Sequence, residues 1–366
     1  MSQDTPTRTP PPHSAEAAES SPSSPSGVSR EQFYAELQRQ NMGPLWEVYR
    51  DLMGRSPRRQ ETPCLWPWRT VRPQLLRAGE MVSTAEAERR VLMFLNPGNP
   101  FRTGATQTLY AAAQLILPGE SARAHRHSQG ALRFIIEGRG AFTCVNGEKL
   151  AMFPGDLVLT PSKMWHDHGN EGSEAVMWLD GLDIPLAALL NAQFYEQYPS
   201  ETQLPAAPAA RTERIFGKAL FPAAAAEATA DGDSPLWAYR WEAARDALEC
   251  LRRSAAPDPF DGHLLRYTNP ASGGEVLNTM GCRLQLLPPG FETRSHRHVS
   301  SSVYHVAAGS GFSVLDGQRF DWQKGDTFAV PTWCPHQHAA ASQDAVLFSL
   351  TDAPLFAKLG LERSAA

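Results

Sequence analysis

The chain has 366 residues, with 34 Lys and Arg against 39 Asp and Glu, so its formal net charge is −5. That balance excludes a nucleic-acid binder relying on bulk positive charge. The 42% hydrophobic content is enough for a sizeable core, and at ~150 residues per domain the length fits about two domains.

No apolar run reaches the ~18 residues of a membrane span, and no basic segment followed by an apolar one marks a secretory signal. Five isolated cysteines with no C-x-x-C pair fit a reduced, cytoplasmic chain without a disulfide framework. Residues 1–30 read as a disordered tail, rich in Pro and Ser and lacking aromatics, Leu and Ile; such a segment cannot offset its ordering entropy by burial.

Residues 31–90 read as a helical region. Ser29 with Gln32 fits a capping pattern ahead of Phe33, Leu37 and Met42. Gly43-Pro44 should break that helix, and Trp46, Tyr49, Leu52 and Met53 suggest another. Pro63 to Pro73 reads as irregular chain. Residues 91–200 change texture to short apolar runs cut by Gly, Pro and Asn: Leu132 to Ile136, Ala141 to Val145, Leu157 to Leu159. These runs predict strands of a sandwich or barrel, and Asn146-Gly147 predicts a hairpin. Residues 201–265 read as an Ala- and Pro-rich link followed by a helix within Trp237 to Arg253, and residues 266–360 as β structure again. The fold class is therefore dominated by β structure.

The strongest signal is an internal repeat. Pro118-Gly119, five residues and His125-Arg-His127 recur as Pro289-Gly290, five residues and His296-Arg-His298. Gly155-Asp156, Pro161, His166 and His168 recur as Gly325-Asp326, Pro331, His336 and His338. The offsets are 296 − 125 = 171 and 336 − 166 = 170, and these motifs hold eight of the eleven histidines. On a strand, residues i and i+2 share a face. Each H-x-H pair can thus aim two imidazoles into one barrel, and a third from a neighbouring strand would complete a metal face. A lone buried histidine is more often a hydrogen-bonded core residue. Two matched pairs of H-x-H motifs favour ligation.

Gly119 to His127 and Gly155 to Asn170 resemble the two motifs of the cupin superfamily, which implies two β-barrel (jelly-roll) domains with flanking helices. The Glu that usually follows H-x-H by four or five residues is absent: Ala131 and Leu132 stand there, and Ser302 and Val303 in the second copy. The resemblance therefore implies a three-histidine site of His125, His127 and His166. A second site of His296, His298 and His336 is also possible.

More closely, residues from about Phe33 to Gly360 are similar to gentisate 1,2-dioxygenases. That likeness rests on Asn96-Pro97-Gly98, His125 to Phe134, Gly155 to Pro161, Trp178 to Pro185 and Tyr267 to Pro270. Imidazoles alone do not select a metal; the resemblance points to Fe(II), with an aromatic 2-hydroxy-carboxylate and O2 as reactants. It implies cleavage of gentisate between C1 and C2 to maleylpyruvate, and a homo-oligomer, often a tetramer. Salicylate and 1-hydroxy-2-naphthoate dioxygenases share these motifs.

A substrate carboxylate invites an arginine. Arg133 lies six residues after His127, an even offset that an uninterrupted strand would turn inward. Arg89 occupies a family position that contacts substrate, although the adjacent Arg90 could turn inward instead. His168 should face the same interior as His166 and could move protons. Gln114 and Asp180 match pocket positions of the family. In the second copy Tyr304 and Ser349 replace Arg133 and Asp180, which makes the first copy the expected catalytic one. The competing readings are another metal-cupin enzyme, against which the missing Glu counts, and a non-catalytic small-molecule-binding bicupin, against which the retained H-x-H pairs count.

Overall fold

The computed structural model describes residues 28–99, 103–218, 220, 222 and 232–366. Most of the tail expected over 1–30 lies outside them, as does part of the 201–265 link. Among the described residues, those up to Ser56 form one compact unit and those from Pro57 onward another. In the first unit Ser29 and Gln32 make the expected reciprocal cap of helix Arg30–Arg39. Helix Leu45–Leu52 follows the Gly43-Pro44 break. Tyr34 Oη joins the two helices by donating to Glu47 at 2.6 Å and accepting from Trp46 Nε1 at 2.8 Å.

The second unit holds the two β modules. In the first, a six-stranded sheet runs in the order Ala238–Tyr239, Leu157–Thr160, Ala131–Glu137, Val176–Leu182, Tyr110–Ile116, Arg90–Met93. A five-stranded sheet closes over it in the order Tyr195–Gln197, Ser121–His127, His166–Asn170, Ala141–Val145, Glu148–Ala151. Asn146 and Gly147 both take positive φ in the hairpin joining the last two, as a two-residue turn of this kind requires. The second module repeats the plan. Its six-stranded sheet runs Cys64–Trp66, Thr327–Val330, Ser302–Ala308, Ala345–Thr351, Gly281–Leu287, His263–Arg266.

Strand alternation decides what each residue meets. Leu132, Phe134, Leu179 and Leu115 point out of the first barrel into a core shared with Val303, Phe348, Leu350 and Leu284 of the second. Phe134 stacks on Phe348 at 4.2 Å, and burying such a ring contributes about 1.5–3 kcal/mol. The alternate residues Ile135, Val176, Trp178 and Ile116 fill the first barrel's interior. Arg133, Asp180 and Gln114 share their parity, so they too lie inside.

The two modules exchange their leading arms. Cys64–Trp66 pairs with Thr327–Val330 of the second barrel, and Ala238–Tyr239 pairs with Leu157–Thr160 of the first. A helix follows each arm, Trp68–Met81 and Trp241–Ser254. Neither helix has a side-chain cap from its own N-cap residue. Instead Trp68 N donates to Asp326 Oδ1 at 2.8 Å, and Trp241 N to Asp156 Oδ1 at 2.9 Å. The repeated Gly-Asp thus caps the exchanged helices, supplying an acceptor and a negative charge where helix N-termini need both.

This arrangement corrects the reading of Pro63 to Pro73 as irregular. A strand and a 14-residue helix occupy it, with Pro73 inside the helix. The tertiary cap and the fully buried Leu75 outweigh the hydrogen bond that Pro73 cannot make.

Candidate metal centre

His125 and His127 end the strand Ser121–His127, and His166 opens the strand His166–Asn170, directly across from His125. One nitrogen from each lies within 4.8 Å of the others, a span that an ion about 2.1 Å from each nitrogen closes with small ring rotations. The Nδ1 atoms are already engaged. They lie 2.9 Å from Arg123 O, 3.0 Å from Gln129 O and 3.0 Å from Met164 O for His125, His127 and His166 respectively. Donation to these carbonyls fixes the tautomer and leaves a lone pair on each Nε2; that of His125 faces the Arg89 guanidinium, which a metal ion would displace.

Burial, reinforced by the Arg89 charge, pushes His125 down to about 2 and His127 to about 4. Burial, reinforced by the neighbouring His125 and His127 and by Arg133, takes His166 well below its ordinary value. All three are neutral at pH 7, the form that binds metal. The residues fit a metal ion.

Two arginines reach this centre. Arg133 is buried, with Nη1 donating to Thr160 Oγ1 at 2.6 Å and Nε 3.6 Å from Asp180 Oδ1. Asp180 sits opposite it in register and accepts from Trp178 Nε1 at 2.9 Å. Burial lowers Arg133 to about 10, against the pull of Asp180, and raises Asp180 to about 6. Arg89 Nη2 lies 2.6 Å from His125 Nε2. The Nε atoms of both arginines are buried without a hydrogen-bond partner. Orphaned donors on two guanidinium groups beside a metal triad can receive a carboxylate.

The inward course of Arg133 has a different cause from the one its spacing suggested. His127 ends one strand and Arg133 lies on the next, Ala131–Glu137. Of the adjacent arginines, Arg89 turns to the triad while Arg90 pairs with Glu120.

His168 is buried beside His166, with ring centroids 5.8 Å apart, and its Nδ1 lies 2.9 Å from Thr143 Oγ1. Gln114 is buried across from Trp178. Tyr110 is half-buried, its hydroxyl pushed up by burial and then by Asp180. Trp165 packs against Tyr198 and Arg126.

Sequence reasoning missed Thr160, Thr143 and Tyr195, which stacks on His125 at 5.3 Å. Thr160 was visible only as the residue before Pro161, and the other two carried no signal because their partners lie across strands.

In the second barrel His296, His298 and His336 also place nitrogens within 4.8 Å of one another. Phe260 meets His296 edge-on at 5.5 Å. It lies 296 − 260 = 36 residues upstream, the same separation as Arg89 from His125.

Residues 113–182 and 283–351 each match the cupin domain family, so fold and triads define a bicupin with a candidate metal site. A gentisate 1,2-dioxygenase from Aquipseudomonas alcaligenes is 39% identical over 91% of this chain and 95% of its own length. A 5-aminosalicylate 1,2-dioxygenase from a Comamonas species is 37% identical over 91% of this chain and 89% of its own length. A solved salicylate 1,2-dioxygenase from Pseudoaminobacter salicylatoxidans, as an adduct with gentisate, aligns with a TM-score of 0.87 at 33% identity, covering 95% of this chain and 96% of that one. The chain belongs to the gentisate 1,2-dioxygenase family and is a ring-cleaving dioxygenase. Among the described residues no helix is long and apolar enough to cross a membrane.

Proposed function

We propose that the protein cleaves gentisate between C1 and C2 with O2, giving maleylpyruvate with both oxygen atoms retained in the product. The observation that carries this reading is the pair of arginines, Arg133 and Arg89, with orphaned Nε atoms beside the triad His125, His127 and His166. When bound there, Fe(II) would supply the redox path between an electron-rich aromatic ring and O2.

The chain's own residues do the rest. Arg133 and Arg89 receive the substrate carboxylate and hold the ring beside the triad, a proximity effect. Asp180 and Thr160 keep the Arg133 fork oriented. His168 is neutral, because burial and the Arg133 charge depress it, so its imidazole can take the proton of a substrate hydroxyl and return it. Gln114 offers an amide to the ring substituents, and the apolar barrel wall excludes water.

A related cleavage of salicylate or 1-hydroxy-2-naphthoate is the alternative, favoured by the likeness to a salicylate dioxygenase. The family likeness supports a homo-oligomer, a tetramer, and five free cysteines fit the cytoplasm. The test is O2 uptake after anaerobic loading with Fe(II). Uptake matched one-to-one by gentisate loss supports the reading. No uptake with iron bound shifts it to the alternative substrates.

A further inference from the structure

A cavity of about 600 Å³ opens beside the helix Trp241–Ser254, where that helix meets the short helix Arg211–Phe216 and the strand His263–Arg266. It shares no residue with the triad His125, His127 and His166 or with the two arginines beside it. We propose that this cavity binds an aromatic acid of more than one ring, with the acid group at its mouth and a ring oxygen at its floor. The inference stands apart from the ring cleavage proposed above.

Three observations carry it. First, the room is built in. The two exchanged helices correspond at an offset of 241 − 68 = 173, which also matches the fully buried Leu75 with the fully buried Leu248. At that offset Ala243, Ala244 and Ala247, which line the cavity, stand where the first helix has Thr70, Val71 and Gln74. Three methyl groups thus replace longer side chains, and Leu265 and Leu284 continue the apolar wall. The volume lies within the ~300–1,000 Å³ of small-molecule sites.

Second, the floor has an unmet polar demand. Tyr267 lines the cavity with Leu265, two residues before it and so on the same face of the chain. The residue is only 7% exposed, and its hydroxyl is buried without a hydrogen-bond partner. Burial pushes its ionisation up, so it stays a donor. Tyr239 meets it edge-on at 5.5 Å, and its own hydroxyl is committed to Ser234 Oγ and Thr268 O, each at 2.9 Å. Buried hydroxyls are ordinarily paired. A ligand oxygen would pair this one, and the two tyrosine rings offer aromatic contact.

Third, the mouth is cationic. Arg214, Lys218 and Arg266 are exposed there. Glu213 is the one carboxylate among the described residues lining the cavity, and Arg240 donates to it at 2.5 and 3.0 Å. The charge left over favours an anion, and a guanidinium matches a carboxylate.

The test is calorimetric titration of the full-length, Fe(II)-loaded protein with 6-hydroxy-2-naphthoate, under anaerobic conditions and with gentisate in excess to occupy the first barrel. This probe carries its acid and its ring oxygen at opposite ends and has no hydroxyl beside the carboxylate. One equivalent per chain is expected. Ala247→Leu should abolish binding by filling the cavity, with the melting midpoint kept because leucine suits a helix. Tyr267→Phe should weaken 6-hydroxy-2-naphthoate about tenfold, the loss of one hydrogen bond. It should leave 2-naphthoate, which has no ring oxygen, unchanged. No uptake by wild type would overturn the proposal, as when a second copy of the chain fills the cavity. So would undiminished uptake by Ala247→Leu. Displacement of the probe by gentisate would place it at the arginines of the first barrel and overturn the proposal equally. The same loss for both acids in Tyr267→Phe would overturn the pairing of the ring oxygen with that hydroxyl. None of these readouts requires turnover, so a failed gentisate assay leaves them interpretable.

Discussion

Trp68 N donates to Asp326 Oδ1 at 2.8 Å, across 258 positions of sequence. Gly325, at φ +93°, lets the indole lie where a Cβ would come within 2.7 Å of it. Gly325→Ala should therefore cost about 1–3 kcal/mol through strain and steric contact. Asp326→Ala should cost about 1–2 kcal/mol by removing the helix cap. Thermal melts should show both as lowered midpoints, with metal uptake at His125, His127 and His166 unchanged. An unaltered midpoint in both variants would mean that the exchanged arm does not support the second barrel.

The sequence made the repeat, the strands and the histidine pairs legible because each is encoded locally, in period-two alternation and fixed spacing. It showed that Gly155-Asp156 and Gly325-Asp326 recur but not what they do, since their partners Trp241 and Trp68 come from the opposite half. The prolines at 63, 67 and 73 concealed a strand and a helix because their local preferences oppose the tertiary contacts that prevail there. At the site, the clustering of His125, His127 and His166 was readable from motifs, whereas Thr160 and Thr143 depend on cross-strand register. No sequence spacing encodes that register.

Arg133 supplies the fork that a carboxylate matches. Arg133→Lys keeps the charge but loses the planar donor pair, and hydrogen bonds to charged groups contribute about 1.5–3 kcal/mol. The Michaelis constant for gentisate should rise about 10- to 100-fold, with metal content unchanged. Steady-state O2 uptake across gentisate concentrations measures this. An unchanged Michaelis constant would remove Arg133 from substrate binding.

Replacing His125 by Ala should abolish turnover, because two imidazoles hold a divalent ion far less tightly than three. Replacing His296 by Ala should leave much of the turnover, since the arginine clamp exists only in the first barrel. Equal losses in the two variants, measured with the remaining triad loaded, would contradict the assignment of catalysis to the first copy.

Asp352 ties the two halves together. Its Oδ1 accepts from Ser301 N at 2.7 Å, and its Oδ2 accepts from Ser301 Oγ at 2.7 Å and from Thr108 Oγ1. Thr279 donates to Asp183 at 2.6 Å in the reciprocal contact. Burial raises Asp352 from 3.8 to about 6 despite those donors. Between these values the folded protein holds a proton that the unfolded chain has released. The contribution of this group to stability is therefore greatest at low pH and falls as pH rises from about 4 to about 6, by up to roughly 3 kcal/mol at 1.36 kcal/mol per unit. Asp352→Asn cannot ionise and should lack that decline. Relative to wild type, the variant should gain stability between about pH 4 and about pH 6 and hold that gain above it, read as a converging or inverted difference in melting midpoint. Parallel midpoints across that range would show that Asp352 ionises in the folded protein no differently than in the unfolded chain.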